Sequence, residues 1–447
     1  MKRVIHWFRR DLRLHDNTAL RAALAAAPEV IPIYILSGWQ RYHHWTGSPR
    51  QQFLCGSLAV LAANLEKRGG RLIVRQGAAD EELGRLAADT GAEAIFFNRD
   101  PDPFGRAMEE KLEKLGIPLR PFKDVAIHER DEVLTAQGSP YRVFTPYSKA
   151  WRTLPKPEVH AAPRKISTPG NLKSLPLPDL GVWGLKLDAE IIEPGEDAAR
   201  RRLEAFVRGP VHKYAELRDF PAAAGASRLS QDLRYGLLSP REVFTRAGAS
   251  HAYVNELIWR EFYMQVLWHW PRVLDAAFDP NYDGVKWFEP GRDFDAWRNG
   301  ETGFPIVDAA MRQLSATGFM HNRLRMIAAM FLTKDLHIHW REGESWFMRR
   351  LVDGEIASNN GGWQWSAGTG ADAAPYFRIQ NPWTQSARYD PKAEFIKQWV
   401  PELRDIHPAQ LCNAPKPGMR ICAHYPRPMV DHAKEREAAL MMFRAKH

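Results

Sequence analysis

The first third of the chain alternates short apolar runs with segments of helical character, and this alternation restricts the fold more than any other feature. The apolar runs stand at residues 4–8, 30–36, 72–74, 94–97 and 119–122. A predicted helix begins with Ser48 as its cap and Pro49 at its first position, and ends before Gly69. Another helical segment stops at Gly91. Apolar runs that alternate with helices predict a doubly wound sheet of parallel strands.

The segment after the first apolar run lacks the glycine pattern of a dinucleotide-binding turn. Ligands of doubly wound sheets bind at the carboxyl ends of the strands. The sequence at that point is FRRDLRLHDN, which contains no GxGxxG. The usual dinucleotide fingerprint is therefore absent from this part of the chain.

The composition and the apolar periodicity of the sequence change near residue 131 and again near residue 197. Between these points Pro and Gly become frequent and the apolar periodicity fades, which is typical of a long connection over the surface. Helical patterns dominate from Ala198 onward. We therefore predict an α/β domain over 1–130, a linker over 131–197, and an all-α domain over 198–447.

Composition limits the partners and the compartment. The formal net charge of +9 favours a polyanionic partner. The odd number of cysteines, three in a long chain, indicates a reducing compartment, and the lack of a CxxC pair argues against a metal site. No apolar run approaches the roughly 18 residues of a membrane span. We expect a monomeric cytoplasmic protein without a membrane partner.

Two helical segments place polar and aromatic side chains on one face. Glu256, Trp259 and Tyr263 lie at i, i+3 and i+7. A carboxylate can hydrogen-bond the edge of a base while an indole stacks on its face. Asn322 and Met326 also share a face, and an amide and a thioether suit an apolar ring. Both patterns fit ordinary amphipathic core helices as well, so the residues alone leave the two interpretations open.

Two further stretches have the composition of a cofactor site. The stretch 227–230, SRLS, offers hydroxyl and backbone donors to a phosphate at the entry to a helix, although a simple N-cap has the same composition. Asp353 and Glu355 flank Gly354, and the sequence NNGG follows at 359–362. Two glycines permit a planar ring to approach the backbone closely. The plain alternative at this place is an acidic turn followed by a tight loop.

Several motifs in a fixed order resemble the photolyase/cryptochrome family. They are GFPIVDAAMRQLSATGFMHNRLRMIAAMF, DLHIHWREGE and DGEIASNNGGWQW, and the likeness extends from HWFRRDLRLHDNTAL to YDPKAEFIKQWVPEL. The resemblance implies an α/β domain, a long linker and a helical domain that binds FAD. It also implies light-driven repair of cyclobutane pyrimidine dimers in DNA, by electron transfer from excited reduced FAD to a flipped-out dimer.

The resemblance assigns a role to each candidate residue. It implies cofactor-binding roles for Tyr214, Ser227, Arg228, Leu229, Ser230, Arg260, Arg325, Asp353, Glu355 and Asn359, with Arg325 paired to Asp353. It implies DNA-contacting roles for Trp259, Asn322, Arg323, Met326 and Trp365. It implies catalytic roles for Glu256 against the dimer, for Asn359 opposite flavin N5, and for Trp363, Trp340 and Trp287 as a chain that carries electrons. The family often has TSRLSPYL where this chain has ASRLSQDL, so the Thr hydroxyl is lost at 226.

Three alternatives to dimer repair follow from the same residues. A cryptochrome-type photoreceptor would bind FAD and signal, but plant cryptochromes have Asp where this chain has Asn359. A (6-4) photoproduct photolyase is expected to have His near position 326, where this chain has Met326. A basic helical nucleic-acid binder without a cofactor would be colourless.

A second, light-gathering chromophore is also expected near Asp100 and Asp102, as either a deazaflavin or methenyltetrahydrofolate.

Overall fold

A five-stranded parallel sheet forms the first part of the structure, which is a computed structural model that describes residues 1–38 and 43–444. The strands are β1 (Arg3–Phe8), β2 (Glu29–Leu36), β3 (Ile73–Gln76), β4 (Ile95–Asn98) and β5 (Leu119–Phe122). Their order in the sheet is β3-β2-β1-β4-β5, and every neighbouring pair is parallel. The predicted doubly wound sheet is confirmed.

The helices of this part connect successive strands and cover the sheet. They are α1 (Thr18–Ala26), α2 (Ser48–Glu66), α3 (Ala79–Thr90) and α4 (Pro103–Leu112). The central strands are almost completely buried, which explains why their sequences are continuous apolar runs. One detail of the prediction is wrong, since Gly47 is the cap residue of α2 and Ser48 is its first helical residue.

The remaining helices follow a long irregular stretch. They are α5 (Phe144–Thr153), α6 (Glu196–Arg208), α7 (Tyr214–Leu217), α8 (Ser230–Arg234), α9 (Pro240–Ala247), α10 (His251–His269), α11 (Arg292–Asn299), α12 (Pro305–Thr317), α13 (Asn322–Met330), α14 (Trp340–Arg350), α15 (Ile356–Ala367), α16 (Pro382–Tyr389), α17 (Glu394–Trp399), α18 (Pro408–Leu411) and α19 (His432–Arg444). A π-helical segment, Phe331–Asp335, extends the end of α13. The predicted helical character after residue 198 is confirmed.

The chain forms two compact units. The sheet unit consists of Met1–Leu187, Ile192–His212 and Ser227–Pro271, and the helical unit consists of Asp188–Ile191, Lys213–Ala226 and Arg272–His447. The predicted domain boundaries at 130 and 197 follow changes in sequence texture and stay a prediction. Among residues 1–38 and 43–444, no helix has both the length and the apolar character needed to cross a bilayer.

The irregular stretch within the sheet unit is bound to the sheet by backbone hydrogen bonds. Val30 of β2 donates to the carbonyl of Ser167 at 2.9 Å, and Leu175 donates to the carbonyl of Val74 in β3 at 2.9 Å. Ile166 is buried beside them. A segment poor in regular structure thus satisfies its backbone groups against neighbouring strands.

The core of the helical unit lies among α11 to α15 and α17. Helix α12 has Pro305 in its first turn and ends at Gly318, whose φ of 65° is the left-handed conformation that favours glycine. The largest buried side chains of this core are indoles and phenyl rings, including Trp297, Trp340 and Trp363. Several of the unusually numerous Trp residues are therefore packing residues of one apolar cluster.

Candidate functional site

The predicted site residues fall in both units, and those of the sheet unit centre on α10. Ser250 caps this helix by accepting a hydrogen bond from the backbone of Tyr253. Glu256 and Trp259 lie one turn apart on α10 and are both half-buried. The predicted helical spacing is therefore present, and both side chains retain exposed surface.

Trp259 stacks on a residue that the sequence did not indicate. The rings of Trp259 and Phe144 of α5 are parallel within 2°, and their centroids are 3.7 Å apart. Phe262 meets the same indole edge-on at 5.6 Å. The stacking covers one face of the indole and fixes the plane of the ring. Phe144 stands far from Trp259 in the sequence, so no local pattern could have revealed the pair.

Arg260 and the neighbouring Glu261 attach α10 to the rest of the sheet unit. The Nη1 group of Arg260 donates to the carbonyl of Val125 at 2.7 Å. The Glu261 carboxylate accepts from the backbone of Ile127 at 2.5 Å and from the indole of Trp151 at 2.5 Å. Burial raises the pKa of Glu261, while these donors act in the opposite direction. Glu261 was not among the predicted residues, and it positions the helix that carries them.

The SRLS stretch leads into the short helix α8. Arg228 has a φ of 54°, and its carbonyl accepts from the side chain of Gln231 at 2.6 Å. Leu229 is buried and is the cap residue of α8, with no side-chain capping bond. Ser230 is exposed at the first helical position, and Ser227 hydrogen-bonds the hydroxyl of Tyr253. Serine does not cap this helix, so the simple N-cap interpretation is wrong.

In the helical unit, the acidic stretch ends at the start of α15. The Glu355 carboxylate caps this helix by accepting from the backbone of Ser358 at 2.8 Å. The tight loop that we considered over 359–362 is wrong, because these residues belong to α15. Helix α15 packs closely on α14. Tertiary packing therefore outweighs the low helix propensity of two adjacent glycines.

Asn359 and its neighbour Asn360 both contact Glu344 of α14. The amide nitrogen of Asn359 donates to the Glu344 carbonyl at 3.1 Å, which leaves the amide oxygen of Asn359 as the acceptor on its other side. The amide nitrogen of Asn360 donates to the Glu344 carboxyl at 2.9 Å. Burial raises the pKa of Glu344 to about 7. Glu344 is a second buried carboxyl group that the sequence reasoning missed.

The predicted pair of Arg325 and Asp353 is present. Their Nη2 and Oδ2 atoms are 2.8 Å apart, and Nε of Arg325 donates to the carbonyl of Met320 at 2.8 Å. The second oxygen of Asp353, Oδ1, is buried and has no hydrogen-bond partner. A buried carboxylate oxygen without a hydrogen-bond partner is unusual, and a donor from a bound molecule would satisfy it.

Three further predicted residues lie on α13. Asn322 is exposed, and Arg323 and Met326 are half-buried. The Nη2 group of Arg323 forms an ion pair with Asp219 at 2.8 Å. Its guanidinium also lies over the ring of Tyr389, 4.5 Å from the ring centroid. The predicted DNA-contacting arginine therefore already has an acidic neighbour.

The three tryptophans of the predicted electron chain belong to one apolar cluster. Trp363 and Trp340 are buried, and the half-buried Trp287 packs against the same core. The ring of His339 lies 5.4 Å from Trp340 and 5.3 Å from Trp287, so it joins the two indoles. Trp363 meets the indole of Trp297 at 6.1 Å. These aromatic contacts span from a buried position to a partly exposed one.

Two other predicted residues, Trp365 and Tyr214, lie on helices of the helical unit. Trp365 is half-buried on α15, and Tyr214 is buried at the first position of α7. Both lie in the helical unit. Their roles at a dimer or a cofactor stay predictions.

The acidic residues near the predicted second chromophore are engaged within the protein. Asp100 forms an ion pair with Arg10 at 2.9 Å, and Asp102 caps α4 by accepting from the backbone of Gly105 at 2.7 Å. Burial raises the pKa of Asp102 to about 7. A cavity of about 210 Å³ lies beside the same helix and is lined by Pro103, Arg106, Ala107, Glu110, Trp268 and Pro271. In the described part of the chain, no cluster of His, Cys, Asp or Glu could hold a metal ion.

Comparisons with known proteins match both parts of the chain. Residues 4–165 match a family described as DNA photolyase, and residues 253–445 match the FAD binding domain of DNA photolyase. The deoxyribodipyrimidine photo-lyase of Agrobacterium fabrum is 40% identical over 99% of this chain and 98% of its own length. The enzyme of the same name from Escherichia coli is 40% identical over 98% of each chain.

Solved structures show the same fold. A class III photolyase from Agrobacterium tumefaciens has a TM-score of 0.92 and 38% identity, over 100% of this chain and 98% of that one. An archaeal photolyase from Sulfolobus tokodaii, solved with two FAD molecules, has a TM-score of 0.88 and 32% identity over 99% and 100%. A cryptochrome from Synechocystis has a TM-score of 0.90 and 29% identity over 99% of each chain.

Proposed function

The chain belongs to the photolyase/cryptochrome family, and from this premise we propose that it repairs cyclobutane pyrimidine dimers in DNA with light and FAD. Its relatives at about 40% identity over nearly their full length are named deoxyribodipyrimidine photo-lyases. The net charge of +9 suits a DNA substrate. The observation that carries the proposal is the ion pair between Arg325 and Asp353. Oδ1 of Asp353 is buried and lacks a hydrogen-bond partner. Both residues lie in the part of the chain that matches an FAD binding domain.

The residues of the helical unit fit a flavin. The unpartnered Oδ1 of Asp353 can accept a hydrogen bond, and the Arg325 guanidinium beside it balances the carboxylate charge. Gly362 of α15 is half-buried, and a Cβ added to it would have no atom within 4 Å. Open space therefore adjoins the helix that carries Asn359. When bound, FAD supplies the light-absorbing electron donor, and the protein positions it.

The residues assigned to the dimer combine stacking with hydrogen bonding. Phe144 covers one face of Trp259, so only the opposite face is available to a base. Glu256 can hydrogen-bond the exposed edge of a flipped-out pyrimidine and stabilise negative charge that develops on it. In the helical unit, Asn322 and Met326 carry an amide and a thioether, which suit contacts with a base. Extrusion of a dimer costs a few kcal/mol or less, since the lesion stacks poorly.

The aromatic cluster of the helical unit supports a route for electrons toward the cofactor. Trp363 is buried, while Trp287 is half-buried and reachable from solution. Trp340 belongs to the same cluster, and the ring of His339 contacts both Trp340 and Trp287. We assign this route to reduction of the cofactor before repair.

A second chromophore, the compartment and the assembly are further parts of the proposal. The cavity beside α4 lies next to the indole of Trp268, which the Arg130 guanidinium covers at 3.6 Å. An aromatic, anionic pigment such as a folate or a deazaflavin suits these groups.

The three cysteines described in the structure are all free, which favours a reducing, cytoplasmic compartment. We propose a monomer as the working form.

A photoreceptor role is the second candidate, because the Synechocystis cryptochrome has nearly the same fold. The residue that separates the two is Asn359, whose amide oxygen is left to accept a hydrogen bond and whose side chain carries no exchangeable carboxyl proton. This arrangement favours retention of a fully reduced cofactor, which repair requires.

The role of Glu256 can be tested in the chemically reduced enzyme. We expect Glu256→Ala to keep its FAD and to lower the repair yield per absorbed photon, while Glu256→Gln retains part of the yield through its amide. Dimer-containing oligonucleotide is illuminated, and the loss of dimer per photon is measured. A repair yield in Glu256→Ala equal to that of the unaltered protein would remove Glu256 from the mechanism.

A further inference from the structure

Among the described residues, three aromatic rings border the indole of Trp259, and one of them comes from another helix. Phe262 meets the indole edge-on, with ring centroids 5.6 Å apart, and the ring of Tyr263 is tilted by 32° at 5.4 Å. Both follow Trp259 by three or four residues, so they adjoin it wherever α10 forms. The third ring is Phe144 of α5, which is parallel to the indole within 2° at 3.7 Å. The face-to-face contact therefore depends on α5.

Helix α5 lies inside the stretch that the sequence predicts to be a linker, but its contacts are those of a fixed part of the sheet unit. The indole of Trp151, near the end of α5, donates to the Glu261 carboxylate of α10 at 2.5 Å. Just before α5, the carbonyl of Tyr141 accepts a hydrogen bond from the side chain of Gln265 at 2.8 Å. Hydrogen bonds on both sides of Phe144 thus hold it against α10.

The two stacked rings have little freedom to separate. Phe144 is 9% exposed, and its ring also meets Phe262 edge-on at 5.9 Å. Phe262 is fully buried, so it blocks the edge of the indole that it contacts. Rotation of the Trp259 side chain would drive the indole into one of these closely packed rings. The indole is therefore fixed in one plane before any DNA is present.

The stack affects DNA binding through side-chain freedom and not through its own energy. The contact between Phe144 and Trp259 exists in the free protein, so its energy cancels between the free and the bound state. A base that stacks on a mobile indole must pay for ordering that side chain, whereas an indole that is already ordered spares this cost. Phe144 can therefore raise the affinity for a stacked base without touching it.

We propose that Phe144 is a positioning residue for the dimer, because it holds the indole of Trp259 in the plane that receives a flipped-out pyrimidine. The proposal rests on the proposed function, since it needs a dimer that stacks on Trp259. A duplex without damage keeps its bases stacked on each other and does not use the indole. The ordering of Trp259 therefore favours the lesion, and a helix of the predicted linker contributes to the dimer site.

The test removes the flat ring and keeps an apolar side chain. Phe144→Leu is the first variant, and Phe144→Met takes its place if Phe144→Leu does not fold, because Met adapts to irregular space. The matched control is Tyr147→Leu. Tyr147 is also buried on α5, and its ring packs on Phe262 at 5.3 Å and on Tyr141 at 6.1 Å rather than on the indole.

Two quantities are measured for each FAD-loaded protein. One is the dissociation constant in the dark, for dimer-containing and for undamaged duplexes. The other is the repair yield per absorbed photon of the chemically reduced protein, at a protein concentration that saturates the dimer. Phe144→Leu is also made in a Trp259→Ala background, which shows whether the two residues act together.

We expect Phe144→Leu to raise the dissociation constant for dimer-containing DNA roughly 2- to 10-fold, the range for ordering one freed side chain. The constant for undamaged DNA and the repair yield of the saturated complex should not change, because the bound indole takes the same position. Tyr147→Leu should alter neither quantity. In the Trp259→Ala background, Phe144→Leu should have no further effect.

Three results would overturn the positioning role. An unchanged dissociation constant of Phe144→Leu for dimer-containing DNA would mean that the indole needs no support from α5. An equal effect of Tyr147→Leu would mean that only the general packing of α5 on α10 matters. A full effect of Phe144→Leu in the Trp259→Ala background would mean that Phe144 does not act through the indole.

Failure of the proposed function would give a different pattern. The unaltered protein itself would then show neither a preference for dimer-containing DNA nor a loss of dimer in light. If the unaltered protein prefers and repairs the dimer while Phe144→Leu binds it equally well, the positioning role alone is refuted. Retained FAD absorbance and a cooperative melting transition above the assay temperature confirm that each variant is folded.

Discussion

Gly343 of α14 should tolerate no side chain, because the indole of Trp363 occupies the space beside it. A Cβ built on Gly343 would lie within 2.6 Å of three carbons of that ring. Trp363 is 2% exposed and packs edge-on against Phe347 at 4.9 Å. The ring therefore has little room to withdraw. Gly343→Ala should push Trp363 out of its position rather than fit beside it.

The expected loss of stability is the difference between two opposing effects. Overpacking of a filled core costs about 1–3 kcal/mol. Ala in place of Gly within a helix gains about 0.5–1 kcal/mol. The closest approach of the added Cβ to the Trp363 ring is 2.0 Å, which places Gly343→Ala at the upper end of that cost, about 3 kcal/mol, so the net loss is about 2–2.5 kcal/mol. For a domain of 150–250 residues, this corresponds to a decrease of roughly 4–10 °C in the melting temperature.

The assay is thermal unfolding followed by near-ultraviolet circular dichroism, which reports the surroundings of buried indoles. Gly84→Ala is the control, because Gly84 is also inside a helix and its added Cβ would meet only the flexible end of Leu115, at 3.3 Å. We expect Gly84→Ala to be neutral or slightly stabilising. Gly343→Ala should lower the melting temperature and change the indole signal.

The reasoning would be refuted if Gly343→Ala melted at the same temperature as Gly84→Ala with an unchanged indole signal. Residue 343 would then not adjoin Trp363. Gly343→Ala could instead be destabilised and still photoreduce its cofactor at the normal rate. That result would support the packing of Trp363 against residue 343. It would count against Trp363 as the first indole of the electron route.

Three further predictions concern the protonation of Glu344, electron transfer through Trp363 and the binding of FAD at Asp353. The folded protein should hold a proton on Glu344 between about pH 4.5 and 7, because burial raises its pKa from 4.5 to about 7. The free energy of unfolding should therefore fall by up to about 3 kcal/mol as the pH rises through that window. Denaturant titrations of Glu344→Gln should show no such pH dependence. Trp363→Phe should stop photoreduction of the oxidised cofactor while chemically reduced protein still repairs dimers, and normal photoreduction would show that the route is misassigned. Asp353→Asn should raise the dissociation constant of FAD by about tenfold or more, since charge-assisted hydrogen bonds contribute about 1.5–3 kcal/mol each, and an unaltered constant would place the cofactor elsewhere.

The sequence allowed the sheet to be predicted because each buried strand is short, apolar and followed by helical spacing. The pair of Arg325 and Asp353 could be expected from the resemblance to known motifs. Helix α15 was harder, because NNGG is typical of a loop and becomes helical only when packed on α14. Local pattern carries no information about such packing.

The contacts that the sequence could not reveal join residues far apart in the chain. Phe144 stacks on Trp259, and Asp219 neutralises Arg323. Glu344 gains its role only because two asparagines of another helix reach it. Each of these residues looks ordinary in its own segment. Their significance depends on the geometry of the fold, which a single sequence does not display.

The most direct test of the central claim is to illuminate the purified protein with dimer-containing oligonucleotide under reducing conditions, after its absorption spectrum has been recorded. The account predicts flavin absorption bands and a loss of dimer that requires light. Flavin bands without repair would contradict dimer repair and favour a photoreceptor or another lesion. A colourless protein that cannot be reconstituted with FAD would contradict the whole account.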